Sequence, residues 1–416
     1  MAISAPKAIT FVITILIILT TGSLPGCYVD ITKLEIVLAL ICIMMAFTNG
    51  INYKDAKRIG IVAISLIGFS LLEFLIYPQM LLEWFRFPFL LISYSLFCCA
   101  YSHRIDIINC YYNAFMVLCV LSTFMYILVE VLQIPIPYTI TGFDWMPEFN
   151  AYGYVYFRMN ILKPDVFGPI TIMRNCGFYT EPGLYSVFIV LNLYIYLFIR
   201  KKRNWFHLAV LLFALITTVS ATGWLAFLMM IAFKIMYSEK YSNAARNLVV
   251  GSIVLLAAVV IVYAVLLQKA TYHVNSYTSR GFDLIQGFKI FLQSPIWGWG
   301  YKNTDVYSNV AATFAGVYHE GRVNSNGVMC VLYQMGLIGS MIYLIPAYLY
   351  IKNHSERHTY ERKRMIMFCF LLAFLIMCEP VQYDGIIIAI LALFIANLRK
   401  TNTPLLTRKF RLNEIL

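Results

Sequence analysis

Apolar residues in this chain come in long blocks separated by polar breaks, without the two-residue alternation of a membrane β-strand. About twelve blocks suit a membrane-crossing helix, near residues 8–24, 34–49, 59–76, 80–100, 107–132, 179–199, 205–219, 222–237, 247–267, 326–351, 365–379 and 384–398. Only two breaks are long, 133–178 and 268–324. The pattern predicts an all-α polytopic membrane protein. It forms a single integral domain over residues 1–416, with two large loops on the same side.

Basic residues give the orientation. Lys54, Lys57 and Arg58, then Arg200 to Arg203, Lys234, Lys240 and Arg246, Arg357 to Arg364, and Arg399 to Arg411 fall on one side if every block crosses. That side is expected to be cytoplasmic, with both termini there and both long loops outside. Composition agrees: 61% of the 416 residues are hydrophobic and 12% charged, more apolar surface than a soluble fold can hide. The net charge of +12 is then topogenic, and no soluble basic domain exists to bind nucleic acid. Leu24-Pro25-Gly26-Cys27 has the outline of a lipoprotein cleavage box. Pro25 suits it poorly and eleven blocks follow, so the first block is read as an uncleaved helix. Most cysteines lie within blocks as small hydrophobes, and the outward pair Cys27 and Cys176 is weak evidence for a disulfide.

The two loops differ in kind. The first is dense in prolines and aromatics, among them Pro135, Pro137, Tyr138, Trp145, Tyr152 and Tyr156. This suits a folded lid at the lipid headgroups whose rings stack on sugars, and suits an ordinary interfacial aromatic belt equally well. The second reads as an amphipathic surface helix from about Arg280 to Leu292, after which Pro295, Gly298 and Gly300 force turns.

Candidate chemistry gathers in these loops. Arg280 opens the surface helix, where its guanidinium either forks onto phosphate oxygens or snorkels to the interface. Arg174 precedes the sixth block, and Glu181-Pro182 opens it. Glu181 suits the positive end of a helix dipole, a general base, or a partner orienting an arginine. His319, Glu320 and Arg322 make an acid–base and anion-binding cluster or a solvated loop. Ser220-Ala221-Thr222-Gly223 reads as a cap and tight turn. Glu83 and Arg86, one helical turn apart in the fourth block, are expected to pair, and Glu73 and Glu130 to be interfacial. His354 and His358 have a zinc-like spacing but lie in a basic inner loop. There is no Asp-x-Asp, phosphate-binding glycine loop or Cys-x-x-Cys, so no metal and no cofactor is expected.

Three stretches taken in order resemble the O-antigen polymerase and ligase superfamily of bacterial inner membranes. They are Arg174…Gly177-Phe178…Glu181-Pro182, Arg280…Phe291…Pro295…Gly298-Trp299-Gly300, and Asn326…Leu332…Gly336-Leu337-Ile338-Gly339. The resemblance covers roughly residues 170–350. It departs at Ser325, where the ligases usually carry a histidine before the asparagine, and this favours a polymerase over a ligase.

The resemblance implies a GT-C-like fold and transfer of glycan from an undecaprenyl-pyrophosphate carrier at the periplasmic face. Candidate partners are a flippase and a chain-length regulator. Within that transfer chemistry the candidate catalytic residues are Arg280 and Arg174, to stabilise the leaving pyrophosphate, and either Glu181 or His319, to take the acceptor proton. The resemblance itself does not align His319. Arg322, Asn326, Tyr179, Trp299 and Tyr301 are the candidates for substrate binding. A flippase of lipid-linked oligosaccharide is the rival from another class. It requires charges deep in the bundle, which are scarce here.

Overall fold

The computed structural model describes residues 5–23, 29–78, 81–101, 106–143, 146–153, 155–159, 165–167, 170–237, 248–253, 256, 259–260, 263, 274–312, 323–354 and 359–397. His319, Glu320, Arg322, Cys27, Trp145 and His358 lie outside them, as do the side chains of Glu83 and His354.

The chain is a helical polytopic membrane protein. Its helices are α1 (Ala5–Leu19), α2 (Ile31–Asn49), α3 (Tyr53–Ile76), α4 (Leu81–Tyr101), α5 (Ile107–Tyr126), α6 (Pro182–Tyr194), α7 (Trp205–Thr218) and α8 (Ala221–Met236). After them come α9 (Val274–Gln293), α10 (Asp305–Ala312), α11 (Gly327–His354), α12 (Thr359–Cys378) and α13 (Gly385–Ala396). Helices α5 and α6 continue as π-helical turns, Ile127–Val131 and Ile195–Ile199. Among the described residues five helices are long and apolar enough to cross a membrane, and five apolar ones are shorter. Eleven of the twelve expected spans coincide with a described helix. The ninth, near 247–267, is described only in part, and there it is helical.

Side-chain caps explain where several helices begin. Asp30 accepts from Thr32 N at 3.0 Å to start α2, Asn204 from Phe206 N at 3.0 Å to start α7, and Ser220 from Gly223 N at 3.3 Å to start α8. Helix α6 is apolar on every side and sits at the centre, with Tyr185, Phe188, Ile189 and Leu193 fully buried. Helix α3 lies at the edge and turns Ile61, Ile64 and Leu75 outward, as a lipid-facing helix does.

The expected lid is a pair of small antiparallel sheets, a departure from a purely helical chain. One is three-stranded, β1 (Thr139–Phe143), β2 (Met146–Tyr152) and β3 (Tyr156–Met159); the other pairs β4 (Asp165–Phe167) with β5 (Ile170–Ile172). Alternating aromatics with proline and glycine turns favour strands over helix in this stretch. The end of the bundle that carries the sheets and α9 is called the loop face below.

Helix α9 begins six residues before the expected start. It buries Asp283, Gln286, Ile290 and Phe291 against α11 while Leu284, Ile285, Phe288 and Leu292 stay exposed, giving the amphipathic face the sequence implied. Helix α11 is broken at Gly336, whose φ is 62°. The break frees backbone groups that the 295–300 turn satisfies. Trp299 N donates to Tyr333 O at 2.8 Å and Gly300 N to Gln334 O at 2.9 Å, while Pro295 O and Ile296 O accept from Leu337 N and Ile338 N. The two glycine-rich motifs of the sequence are thus one interlocked backbone contact.

Arg86 pairs with Glu35 of α2, Nε to Oε2 at 2.6 Å, a partner from a neighbouring helix; the expected partner Glu83 has its side chain outside the described residues. Glu73, in the last turn of α3, is fully buried against the protein.

A Cβ at position 336 would meet Ile296 O at 2.3 Å, on top of the positive φ. Gly336→Ala is therefore expected to destabilise the protein by about 2 kcal/mol or more. Gly60→Ala, in a helix with nothing within 4 Å, should instead stabilise by about 0.5–1 kcal/mol. Thermal unfolding in detergent checks both; equal midpoints for the two variants would contradict the interlock.

Candidate functional site

The segment 174–180 is anchored before it reaches α6. Asn175 N donates to Thr217 O at 2.9 Å and Asn175 Nδ2 to Thr217 Oγ1 at 2.9 Å, while Thr180 N donates to Gly22 O at 3.1 Å. Gly177 sits at φ 58° with the Tyr185 ring 2.5 Å from where a Cβ would be, so only glycine lets this segment cross α6 so closely. Its path sets Arg174 against the end of α7, with Nε donating to Thr218 O at 3.2 Å.

Glu181 is the N-cap residue of α6, with Pro182 at the first helical position, but its carboxylate makes no capping hydrogen bond. It lies instead in a cluster of charges. From α9, Arg280 donates Nη2 to Glu379 Oε1 at 2.9 Å and Nη1 to Cys378 O at 2.7 Å, both beyond or at the end of α12. Glu379 in turn lies over the start of α6. A Cβ on Gly183 would fall 2.2 Å from its Oε1, so Gly183 is what admits it.

Exposure within the cluster is asymmetric: 46% of the Arg280 side chain is accessible against 5% of Glu379. The buried carboxylate and the Cys378 carbonyl hold the inner donors of the guanidinium, and its outer edge remains open to a ligand.

The electrostatics follow from this geometry. Burial, with the added repulsion of Glu379, raises the Glu181 carboxyl to about 7, against the opposing pull of Arg280 and Arg174. Glu379 holds Arg280 still more firmly protonated than a free arginine. One group able to exchange a proton near neutral pH therefore stands beside a permanent cation with an open edge.

Sequence reasoning found Arg280, Arg174 and Glu181, and the structure brings these three together. It missed Glu379. The signal was the dipeptide itself, since Glu379-Pro380 repeats Glu181-Pro182 at the loop-face end of another helix.

Four candidates stand elsewhere. Tyr179 is fully buried and stacks on Phe188 at 4.6 Å, and Tyr301 is buried against Tyr383 at 4.7 Å. Trp299 donates Nε1 to Ile290 O at 3.1 Å, tying the turn to α9. Asn326 caps α11, its Oδ1 accepting from Met329 N at 3.0 Å. These are packing and capping roles, and His319 and Arg322 lie outside the described residues.

Ser325, at the position where the ligases usually carry a histidine, is bound to buried Asp283 of α9. Asp283 Oδ2 accepts from Ser325 N at 3.0 Å and from its Oγ at 2.5 Å, while Tyr307 donates to Oδ1. The Asp283 knot pins the 324–326 turn to α9 and with it fixes the direction in which Arg280 emerges. Ser220 serves as the expected cap and also bonds Ser186 of α6, Oγ to Oγ at 2.9 Å.

A family model described as O-antigen ligase matches residues 206–344, which run from α7 through Arg280 to the interlocked half of α11. The match supports the O-antigen ligase and polymerase superfamily, whose members act on lipid-linked glycans in surface-polysaccharide synthesis, and does not separate the two activities. No curated protein matches the chain. Arg174, Glu181 and Glu379 lie outside the matched stretch and join it only in space.

A carboxyl whose pKa is raised by folding lowers stability as pH rises from the unfolded value of about 4.5 through about 7, because only the folded state keeps its proton in that window. Glu181→Gln abolishes this slope. Its stability relative to wild type is expected to rise by about 1–3 kcal/mol between pH 4.5 and 8. Thermal unfolding of both proteins across that range is the check, and parallel profiles would contradict the assignment.

Proposed function

We propose that the protein is a glycosyltransferase of the bacterial inner membrane. It polymerises undecaprenyl-pyrophosphate-linked oligosaccharide repeat units of an O-antigen, or a related surface polysaccharide, at the periplasmic face. The observation that carries this reading is the delivery of Arg280, from the stretch matched by the family model, onto the carboxylates heading α6 and ending α12.

The donor is the growing chain on its carrier. Its pyrophosphate docks on the open edge of Arg280, with Arg174 adding positive charge nearby. As the sugar–phosphate bond breaks, the pyrophosphate keeps the electron pair, and the guanidinium stabilises the developing charge. Glu181 takes the proton from the sugar hydroxyl of the incoming repeat unit, whose oxygen forms the new glycosidic bond. Undecaprenyl pyrophosphate leaves. Glu379 aims the guanidinium and keeps Glu181 basic enough to work near neutrality. The donor is already activated, so neither ATP nor a proton gradient is required.

The ligase reading, transfer of finished polymer to lipid A core, draws on the description of the matching family. The serine at 325, where the ligases usually carry a histidine, is the ground for the polymerase. A flippase and a chain-length regulator are the expected partners.

Deleting the gene should abolish the lipopolysaccharide ladder and leave one repeat unit on lipid A core, and wild type but not Arg280→Ala should restore the ladder. Polymer retained on the carrier would mean a ligase, and an unchanged ladder would overturn the O-antigen assignment. With purified enzyme, Glu181→Gln should cost about 10²–10⁴-fold in rate. Wild-type activity should rise with pH through about 7, and Glu379→Gln should move that midpoint lower by removing a repelling charge. A pH-independent rate would contradict Glu181 as base.

A further inference from the structure

Beside the first sheet lies a groove of about 780 Å3 that the reaction described above does not use. Glu130, Gln133, Pro135, Tyr138, Tyr152 and Arg158 line it. Three features set it apart from an interfacial belt of aromatic residues.

The first is the π-helical turn Ile127–Val131 at the end of α5, a rare conformation frequent at functional sites. It directs Glu130 into the base of the groove, where the carboxylate accepts from Tyr156 Oη at 3.1 Å and lies 3.5 Å from Arg158 Nε. Glu130 is 8% exposed and Arg158 37%, so this polar pair is fixed from below and open from above.

The second is Gln133. It ends the helix in the left-handed region, φ 51°, with the following residue closing the turn from Ile134 N to Leu128 O at 2.9 Å. Glycine is the relaxed residue for that position, so a glutamine there is held against backbone strain. What it contributes over glycine is a carboxamide at the lip of the groove.

The third is Tyr138, 51% exposed, its ring 5.5 Å from that of Tyr152. Its open side gives the groove an apolar wall opposite the polar base.

An apolar wall, a neutralised acid–base pair and an amide fit a ligand that is apolar on one face and hydroxylated at its edges. A phosphate would want uncompensated cations, and a hydrocarbon tail would strip water from the exposed side of Arg158 and from the Gln133 carboxamide. A sugar ring meets all of these requirements: its C–H face lies on Tyr138, its hydroxyls donate to Glu130 and accept from Arg158 and Gln133.

The groove is joined to the cluster around Arg280 through the backbone. Phe157 N, next to Arg158, donates to Gly177 O at 2.8 Å, and Gly177 stands four residues before Glu181, at most about 14 Å along extended chain. We infer that this groove is a carbohydrate subsite that holds a sugar of the lipid-linked glycan beside the transfer site. The inference rests on the glycan-transfer reading for its substrate.

The test uses the full chain in nanodiscs and two probes. One is the set of repeat-unit oligosaccharides released by mild acid from the surface polysaccharide of the cell that makes this protein; the other is inorganic pyrophosphate. Tyr138→Ala and Gln133→Gly should each weaken oligosaccharide binding about three- to tenfold and leave pyrophosphate binding unchanged. Gln133→Gly relaxes the backbone, so its thermal midpoint should not fall and misfolding cannot account for the loss. Arg280→Ala should show the opposite pattern, losing pyrophosphate and keeping oligosaccharide. Unchanged oligosaccharide affinity in both groove variants, or no binding to wild type, would overturn the subsite. Loss of both probes in Arg280→Ala would do so too. Pyrophosphate binding indifferent to Arg280 would instead strike the transfer reading.

Discussion

A helix that breaks inside a membrane must find partners for every backbone group it releases, since lipid offers none. In this protein that requirement falls on α11 at Gly336, and the 295–300 turn meets it with four backbone hydrogen bonds. The closeness this demands admits no side chain. A Cβ at Gly298 would overlap Gln334 carbonyl atoms at 2.5 Å, as one at Gly336 would overlap Ile296 O. Because the turn directly follows α9, the interlock and the Asp283 knot together fix α9 along α11 at its C-terminal end and at its middle. Arg280 thereby reaches Glu379 with a directed guanidinium instead of a mobile one.

The charge cluster then shows how a membrane fold keeps ionised groups without isolating them. Glu379 is almost wholly buried, and a lone carboxylate there would be strongly disfavoured. Arg280 satisfies it, and the Cys378 carbonyl shares the guanidinium. The second carboxylate, Glu181, is buried, feels Glu379 as a like charge and has no capping bond, so it holds its proton to near neutral pH. A stably paired arginine and a poorly stabilised acid, side by side, give one group suited to anions and another suited to proton transfer.

Much of this was legible in the sequence where it depends on one-dimensional pattern. Block lengths fixed eleven helices, and residue type with local position singled out Arg280, Arg174 and Glu181. The pairing of Arg86 with Glu35 was not legible, because an ion pair between helices depends on rotation about their axes, which spacing within one helix does not specify. Tyr179, Tyr301, Trp299 and Asn326 lie in the right motifs but face inward for packing and capping, since a motif records close backbone approach as readily as ligand contact. Glu379 escaped notice for want of a neighbouring loop: it lies 99 residues from Arg280 and 198 from Glu181 in the chain, and only tertiary folding joins them.

Bond formation at the Arg280 cluster is tested directly in a reconstituted system. Proteoliposomes holding the purified protein and lipid-linked repeat units would be followed for glycan length and for free lipid pyrophosphate. Glycosyl transfer predicts chains longer than one repeat, with one lipid pyrophosphate released for each unit joined. Intact single-repeat lipids appearing in the opposite leaflet, with no pyrophosphate carrier released, would contradict it and make the protein a transporter.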